Sequence, residues 1–360
     1  MVLEAMRSFA PLPNLQPAVQ PGSRLRSGLR WETGSWVTAV EQRHALFAAT
    51  VTVAIAAAHL FGGLPPRIEL LILVAAVTLF GLPHGALDYV SGRRLLHQTF
   101  RSWWLVPFGI GYIGLAAAVV AAWMLAPLAS LFGFLLVSAA HFGAGDVRRE
   151  LAMGAGGRFS GTGAAFEAVG RGGLVLVPLL HFHPDAASSL FAHLAPMSAE
   201  EISATIKAVT PPLFAVSGSV LSVIMAHHLG GWAEGNAGHA RVALEIGSLA
   251  AIFVLAPPLV AFGVYFCIWH SFRHSLRQAA ELDPSTPHAA FRAFVRHAWP
   301  TTAAAFLIGA LGYGLLGVQS SDAKLVQVLF VGLSALTAPH IALSCIEAHK
   351  SRLSATTDLR

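Results

Sequence analysis

Two histidines four residues apart, His270 and His274, stand in the apolar stretch FCIWHSFRHSL at 266–276. Residues four apart on a helix share one face, a turn above each other, so this pair can offer two imidazole nitrogens to one metal ion. Three further motifs set a histidine in similar surroundings: GLPHGALD with His84 and Asp88, SAAHFGAGD with His141 and Asp146, and APHIAL with His340. Neutral imidazole suits Fe, Zn, Cu or Ni, with little selectivity from ligand type alone. An ionisable side chain inside a transmembrane segment is costly and marks a functional site by default. For any single histidine the bland alternative is a neutral ring that bridges two helices by a hydrogen bond. Convergence of several is what separates the two readings.

The elements that must position them are membrane helices. Of the 360 residues, 55% are hydrophobic and 11% charged, with a mean hydropathy of +0.64, whereas soluble domains carry roughly 25% charged residues. The expected fold class is all-α: a polytopic transmembrane helix bundle of about ten spans. The spans fall at 44–62, 69–92, 102–124, 128–147, 172–191, 208–230, 242–256, 258–277, 299–318 and 325–349. Pro178, Pro184 and Asp185 weaken the fifth, and Pro257-Pro258 alone separates the seventh from the eighth. Residues 1–43 form a polar N-terminal tail, 44–350 a single transmembrane domain and 351–360 a cytoplasmic C-terminal tail. The first apolar run begins near His44, too far along for a cleaved signal peptide. Cys267 and Cys345 both lie in apolar segments and read as small hydrophobes.

With both termini cytoplasmic, all of the 23 basic residues except Arg67, Lys207 and Lys324 fall on the inner side, the asymmetry of the positive-inside rule. The net charge of +5 therefore reflects orientation, and no basic cluster suggests nucleic acid. In this layout the spans bearing His84, His141, His270 with His274, and His340 all run from outside to inside. At about 1.5 Å per residue the five rings occupy one slab about 10 Å thick, in the inner half of the bilayer. His84, His141, His270 and His274 are the candidate ligands of a metal site between helices. His340 is a further ligand, a group behind the ligands, or a pocket wall.

Asp88, one turn after His84, and Asp146, five residues after His141, can accept a histidine's other N–H and fix its tautomer. Alternatively they sit at the membrane edge against Arg93, Arg94 or Arg148. Gly81, Gly85, Gly143 and Gly145 permit close helix approach. Arg273 is expected to snorkel to the cytoplasmic headgroups. His227 and His228, adjacent on one helix, diverge by about 100° and are weaker candidates. Phe80, Phe142, Phe266, Trp269 and Phe272 are candidate walls for an apolar substrate.

In this order the motifs GLPHGALD, HFGAGD, WHSFRH and APHIAL resemble the Brp/Blh family of membrane β-carotene 15,15′-dioxygenases, over about residues 70–350. The stretch RGGLVLVPLLHFHPDAA is similar to that family's middle segment. The resemblance implies Fe(II) held by His84, His141, His270 and His274, and cleavage of the central double bond of β-carotene by O2 into two molecules of all-trans-retinal. It implies a lipid bilayer as the setting, a bacterial inner membrane as the location, and a retinal-binding opsin as a taker of the product. Read from the residues alone, two alternatives stay open. One is a di-iron membrane oxygenase or desaturase, which needs more HxxxH boxes than this chain has. The other is a non-catalytic metal or proton transporter or carotenoid-binding protein.

Overall fold

The computed structural model describes residues 35–152, 162–317 and 320–357, and among them every regular element is helical. In chain order these are α1 (Ser35–His59), α2 (Pro66–Ala76), α3 (Leu82–Gly85), α4 (Asp88–Phe100), α5 (Leu105–Leu125), α6 (Pro127–Ala152) and α7 (Thr162–Phe182). Then follow α8 (Pro184–Phe191), α9 (Ala199–Ala233), α10 (Ala237–Leu255), α11 (Pro258–Gly263), α12 (Phe272–Leu282), α13 (Pro287–Leu315) and α14 (Ser321–Thr357). Two π-helical segments interrupt the series, Val77–Gly81 between α2 and α3 and Val264–Ser271 between α11 and α12.

Local chemistry sets several of these boundaries. Proline occupies the first turn of α2, α8, α11 and α13, where its missing N–H costs no hydrogen bond. Ser198 and Glu201 form a reciprocal capping box at the start of α9, and the Asn236 side chain accepts from Gly238 N–H at the start of α10. Each such contact satisfies a donor that the helix itself leaves unpaired.

Seven helices are long and apolar enough to cross a membrane: Pro66–Trp103, Leu105–Leu125, Pro127–Glu150, Gly163–Phe182, Ala199–Ala233, Ala237–Leu255 and Ser321–Lys350. The segments expected at 44–62, 258–277 and 299–318 are helical over 44–59, 258–277 and 299–315, but they do not join this set by length and composition. The fifth span is displaced from 172–191 to 163–182, because the chain breaks at His183 before Pro184. The polar N-terminal tail ends earlier than expected, since residues 35–43 belong to α1; residues 1–34 lie outside the described residues. Residues 351–357 continue α14, while 358–360 lie outside the described residues.

Apolar side chains cover the outside. On α5, Ile110, Ile113 and Leu125 are 71%, 69% and 85% exposed, and Trp123 alone is buried. Exposed apolar area on this scale is untenable in water and natural in hydrocarbon. The interior is built around α10 and the second π-helical segment, where Phe253, Tyr265 and Trp269 are fully buried. Helices α6 and α7 cross at closest range through two glycines. A Cβ at Gly143 would overlap the Ala168 carbonyl, and one at Gly172 would overlap that of Ala139. The two π-helical segments also meet closely, since a Cβ at Gly81 would lie 2.7 Å from Phe266 Cε1.

Candidate metal centre

Five imidazoles from four passes of the chain converge on one interior region. His84 comes from α3, His141 from α6, His270 from the second π-helical segment, His274 from α12 and His340 from α14. Ring centroids of His84 lie 5.6, 5.6 and 5.4 Å from those of His270, His274 and His340. The His141 ring lies 5.3 Å from His270 and 5.5 Å from His340, and His274 lies 5.3 Å from His340. The rings of His270 and His274 are parallel within 7° and 6.5 Å apart, as expected of side chains one turn apart on one face.

His84 and His274 each follow a π-helical segment, and His270 lies within one. A π-bulge adds a residue to the turn and re-aims the side chains beyond it, which is why such segments occur at functional sites. His84 Nδ1–H donates to the Gly81 carbonyl, so its Nε2 carries the free lone pair. Helix α6 is pressed against α7 at Gly143, two residues past His141, which seats that ring toward the centre.

The fit to a metal ion rests on two observations. A ring nitrogen about 2.1 Å from an ion puts ring centres about 3.2 Å from it, and neighbouring rings about 4.5–5.5 Å apart. The neighbouring centroids, 5.3–5.6 Å apart, are at or just beyond that spacing. In addition, Nε2 of His270, His274 and His340 is buried with no hydrogen-bond partner among the described residues. Each such orphan costs about 1–3 kcal/mol, and a bound cation would satisfy all three at once. Among the described residues no three His, Cys, Asp or Glu side chains are closed into a ready-made metal-binding group as placed. The rings are gathered, and the broad imidazole χ2 torsion is the freedom that would aim their nitrogens.

Phe142 and Phe266 supply the apolar surroundings. Phe142 is 4.8 Å from the His270 ring and 5.9 Å from His141, while Phe266 is 5.3 Å from His84. A groove of about 460 Å³ is lined by Phe80 of the first π-helical segment and Cys267 and Ile268 of the second, with Phe272, Val40, Arg43, His44 and Phe47. Trp269 is not a wall of this site. It is buried against α1, donating from Nε1 to Thr52 Oγ1 at 2.9 Å.

Of the expectations about the polar neighbours, one holds and two are corrected. Asp88 accepts a histidine's N–H as expected, the histidine being His340: its Oδ1 accepts from His340 Nδ1 at 2.8 Å and its Oδ2 from Tyr112 at 3.0 Å. Arg94 reaches Glu281 at 2.8 Å. Asp146 accepts from the Tyr265 hydroxyl at 3.1 Å and is buried. Arg273 does not snorkel: it is buried and forms a two-bonded pair with Glu245, 2.8 Å at each contact. Glu245 also takes Arg149 at 2.8 Å and has Arg171 at 3.6 Å. Arg149, Arg171 and Arg273, counted as inner-side charges in the sequence, are therefore neutralised inside the protein.

His227 and His228, set aside for their divergence, join His239 from the next helix in a second group with ring centres 5.0–5.1 Å apart. His228 Nδ1 lies 3.0 Å from His239 Nδ1, and its Nε2 lies 3.4 Å from Glu167. Adjacency on one helix concealed this contact, which needs α10 to fold back along α9.

Fold and site together define a helical membrane protein that gathers five imidazoles at one interior point. The chain belongs to the β-carotene 15,15′-dioxygenase family, a family of enzymes whose model matches residues 75–346. It is 32% identical over 324 residues to a Halobacterium salinarum protein named "Probable beta-carotene 15,15'-dioxygenase Blh", covering 84% of this chain and 91% of that one. It is 28% identical over 291 residues to a protein of uncultured marine bacterium 66A03 named "Beta-carotene 15,15'-dioxygenase", covering 78% and 95%. A Halobacterium salinarum protein named "Probable beta-carotene 15,15'-dioxygenase Brp" is 27% identical over 248 residues, covering 66% and 67%. No solved structure matches the chain at a significant level.

Proposed function

We propose that the protein cleaves the central 15,15′ double bond of β-carotene with O2, giving two molecules of all-trans-retinal, at an Fe(II) site held by His84, His141, His270 and His274. The observation that carries this reading is the gathering of these imidazoles in apolar surroundings, with Nε2 of His270 and of His274 buried and unpartnered among the described residues, in a chain whose relatives bear that activity in their names. Bound there, Fe(II) supplies the one-electron chemistry that lets triplet O2 react with a closed-shell alkene. One O2 balances two aldehydes, one oxygen atom in each, so neither a reductant nor a general acid has to be provided.

The residues' share is binding, orientation and exclusion of water. His84 Nδ1–H is committed to the Gly81 carbonyl, which fixes the tautomer that presents Nε2. Phe142 and Phe266 pack against the histidines and offer apolar faces that hold a polyene at fixed orientation. The groove bounded by Phe80, Cys267, Ile268 and Phe272 opens beside the two π-helical segments; a bilayer-dissolved carotenoid can enter there without passing through water. The product retinal leaves into the same phase, where a retinal-binding opsin can take it up. The inner membrane, with both termini cytoplasmic, is the corresponding location.

Ligand variants test this reading. His270→Ala and His274→Ala are expected to lose both bound iron and retinal formation, as are His84→Ala and His141→Ala. Iron by elemental analysis and retinal by chromatography are the readouts. Full iron content and full cleavage in the His84 and His141 variants would contradict the ligand set.

A further inference from the structure

We propose that His340 is a fifth iron ligand, oriented and made more basic by an Asp88–Tyr112 pair behind it. This deepens the four-histidine reading above and rests on it. His340 is buried on α14, with its ring 5.3–5.5 Å from those of His84, His141 and His274. These distances are as short as the 5.6 Å between His84 and His274 and the 5.3 Å between His141 and His270, which places His340 in the group and not behind it.

The two nitrogens of His340 have different fates. Nδ1–H donates to Asp88 Oδ1 at 2.8 Å. Nε2, on the opposite edge of the ring, is buried and has no hydrogen-bond partner among the described residues. A carboxylate on one ring nitrogen fixes the tautomer, sets the ring plane and strengthens the other nitrogen as a donor to a metal. A histidine serving only to tie helices together would not leave its second nitrogen stranded among other imidazoles, where desolvation is costly.

Asp88 is itself held in place. It begins α4, where the helix dipole favours a carboxylate, and its second oxygen accepts from the Tyr112 hydroxyl at 3.0 Å. Asp88, Tyr112 and His340 lie on α4, α5 and α14, so one hydrogen-bonded unit spans three passes. Asp88 is also the carboxylate in hydrogen-bond contact with the histidine group, and its negative charge offsets part of the 2+ charge that neutral imidazoles leave uncompensated. His84, His141, His270, His274 and His340 would together hold the ion, and the apolar faces of Phe142 and Phe266 beside them would hold the polyene.

The experiment uses the full chain in detergent, loaded anaerobically with Fe(II). X-ray absorption counts the imidazoles on iron, chelator competition gives the affinity, and thermal unfolding of the metal-free forms checks folding. Wild type is expected to show five imidazoles and His340→Ala four, with affinity at least 10-fold lower and partly restored by added imidazole. Asp88→Ala is expected to bind iron about 10–100-fold more weakly, and Tyr112→Phe to fall between it and wild type. Wild type with four imidazoles, together with His340→Ala binding iron undiminished, overturns the fifth ligand and leaves the four-histidine site standing. Wild type that binds no iron overturns both.

Discussion

Glu245 accepts hydrogen bonds from Arg149 and from both terminal nitrogens of Arg273, all while 1% exposed. A buried carboxylate among guanidiniums is stabilising only while every partner is present, because removal of one leaves an unpaired charge in low dielectric. Glu245→Gln is therefore expected to cost about 3–5 kcal/mol, read as a large fall in unfolding temperature in detergent. Arg94→Ala, which removes the more exposed pair with Glu281, is expected to cost about 0–1 kcal/mol. Equal effects of the two would contradict the assigned role of the Glu245 cluster. The sequence could not reveal this pairing. Arg273 and Glu245 lie 28 residues apart on different passes, and nothing in the spacing of FRH marks a partner. Asp88 was legible as an acceptor for a histidine N–H, but not which histidine it serves, because His340 is 252 positions away. The histidines themselves were legible, because depth within an apolar span can be counted along the chain.

Helix contacts set how those side chains meet. Gly143 and Gly172 let α6 and α7 touch backbone to backbone, so Gly143→Ala forces the two apart and tilts the helix that carries His141. Such overpacking costs about 1–3 kcal/mol, and the variant is expected to lose thermal stability and to retain iron less well. Gly114→Ala on α5 is the matched control, since a Cβ there meets nothing within 4 Å; it is expected to be neutral or stabilising, as alanine favours helix by up to about 1 kcal/mol over glycine. A Gly143→Ala protein as stable as Gly114→Ala would contradict the close crossing. The glycines beside the histidines were visible as small residues, yet sequence could not say which mattered. Gly81 and Gly143 stand at close approaches, whereas a Cβ at Gly85 would meet nothing within 4 Å. The π-helical segments were equally hidden, because an apolar run such as VYFCIWHS reads alike in an α- or π-helical turn.

For the molecule as a whole, composition already specified an all-helical chain with an apolar exterior, and the positions of most long helices followed from hydropathy. The segments at 44–62, 258–277 and 299–318 were read as spans and are helical, though they fall outside the seven helices that qualify by length and composition. This architecture keeps a hydrocarbon substrate, an apolar groove and a set of imidazoles in one phase, and the central claim is that their conjunction cleaves β-carotene. The most direct measurement loads the purified protein anaerobically with Fe(II), adds β-carotene and then labelled O2, and follows iron per chain and retinal per carotenoid. The account predicts one iron per chain, two molecules of all-trans-retinal for each β-carotene consumed, and label in both. Protein that holds its iron yet forms no retinal, or that needs two irons per chain to do so, would contradict it.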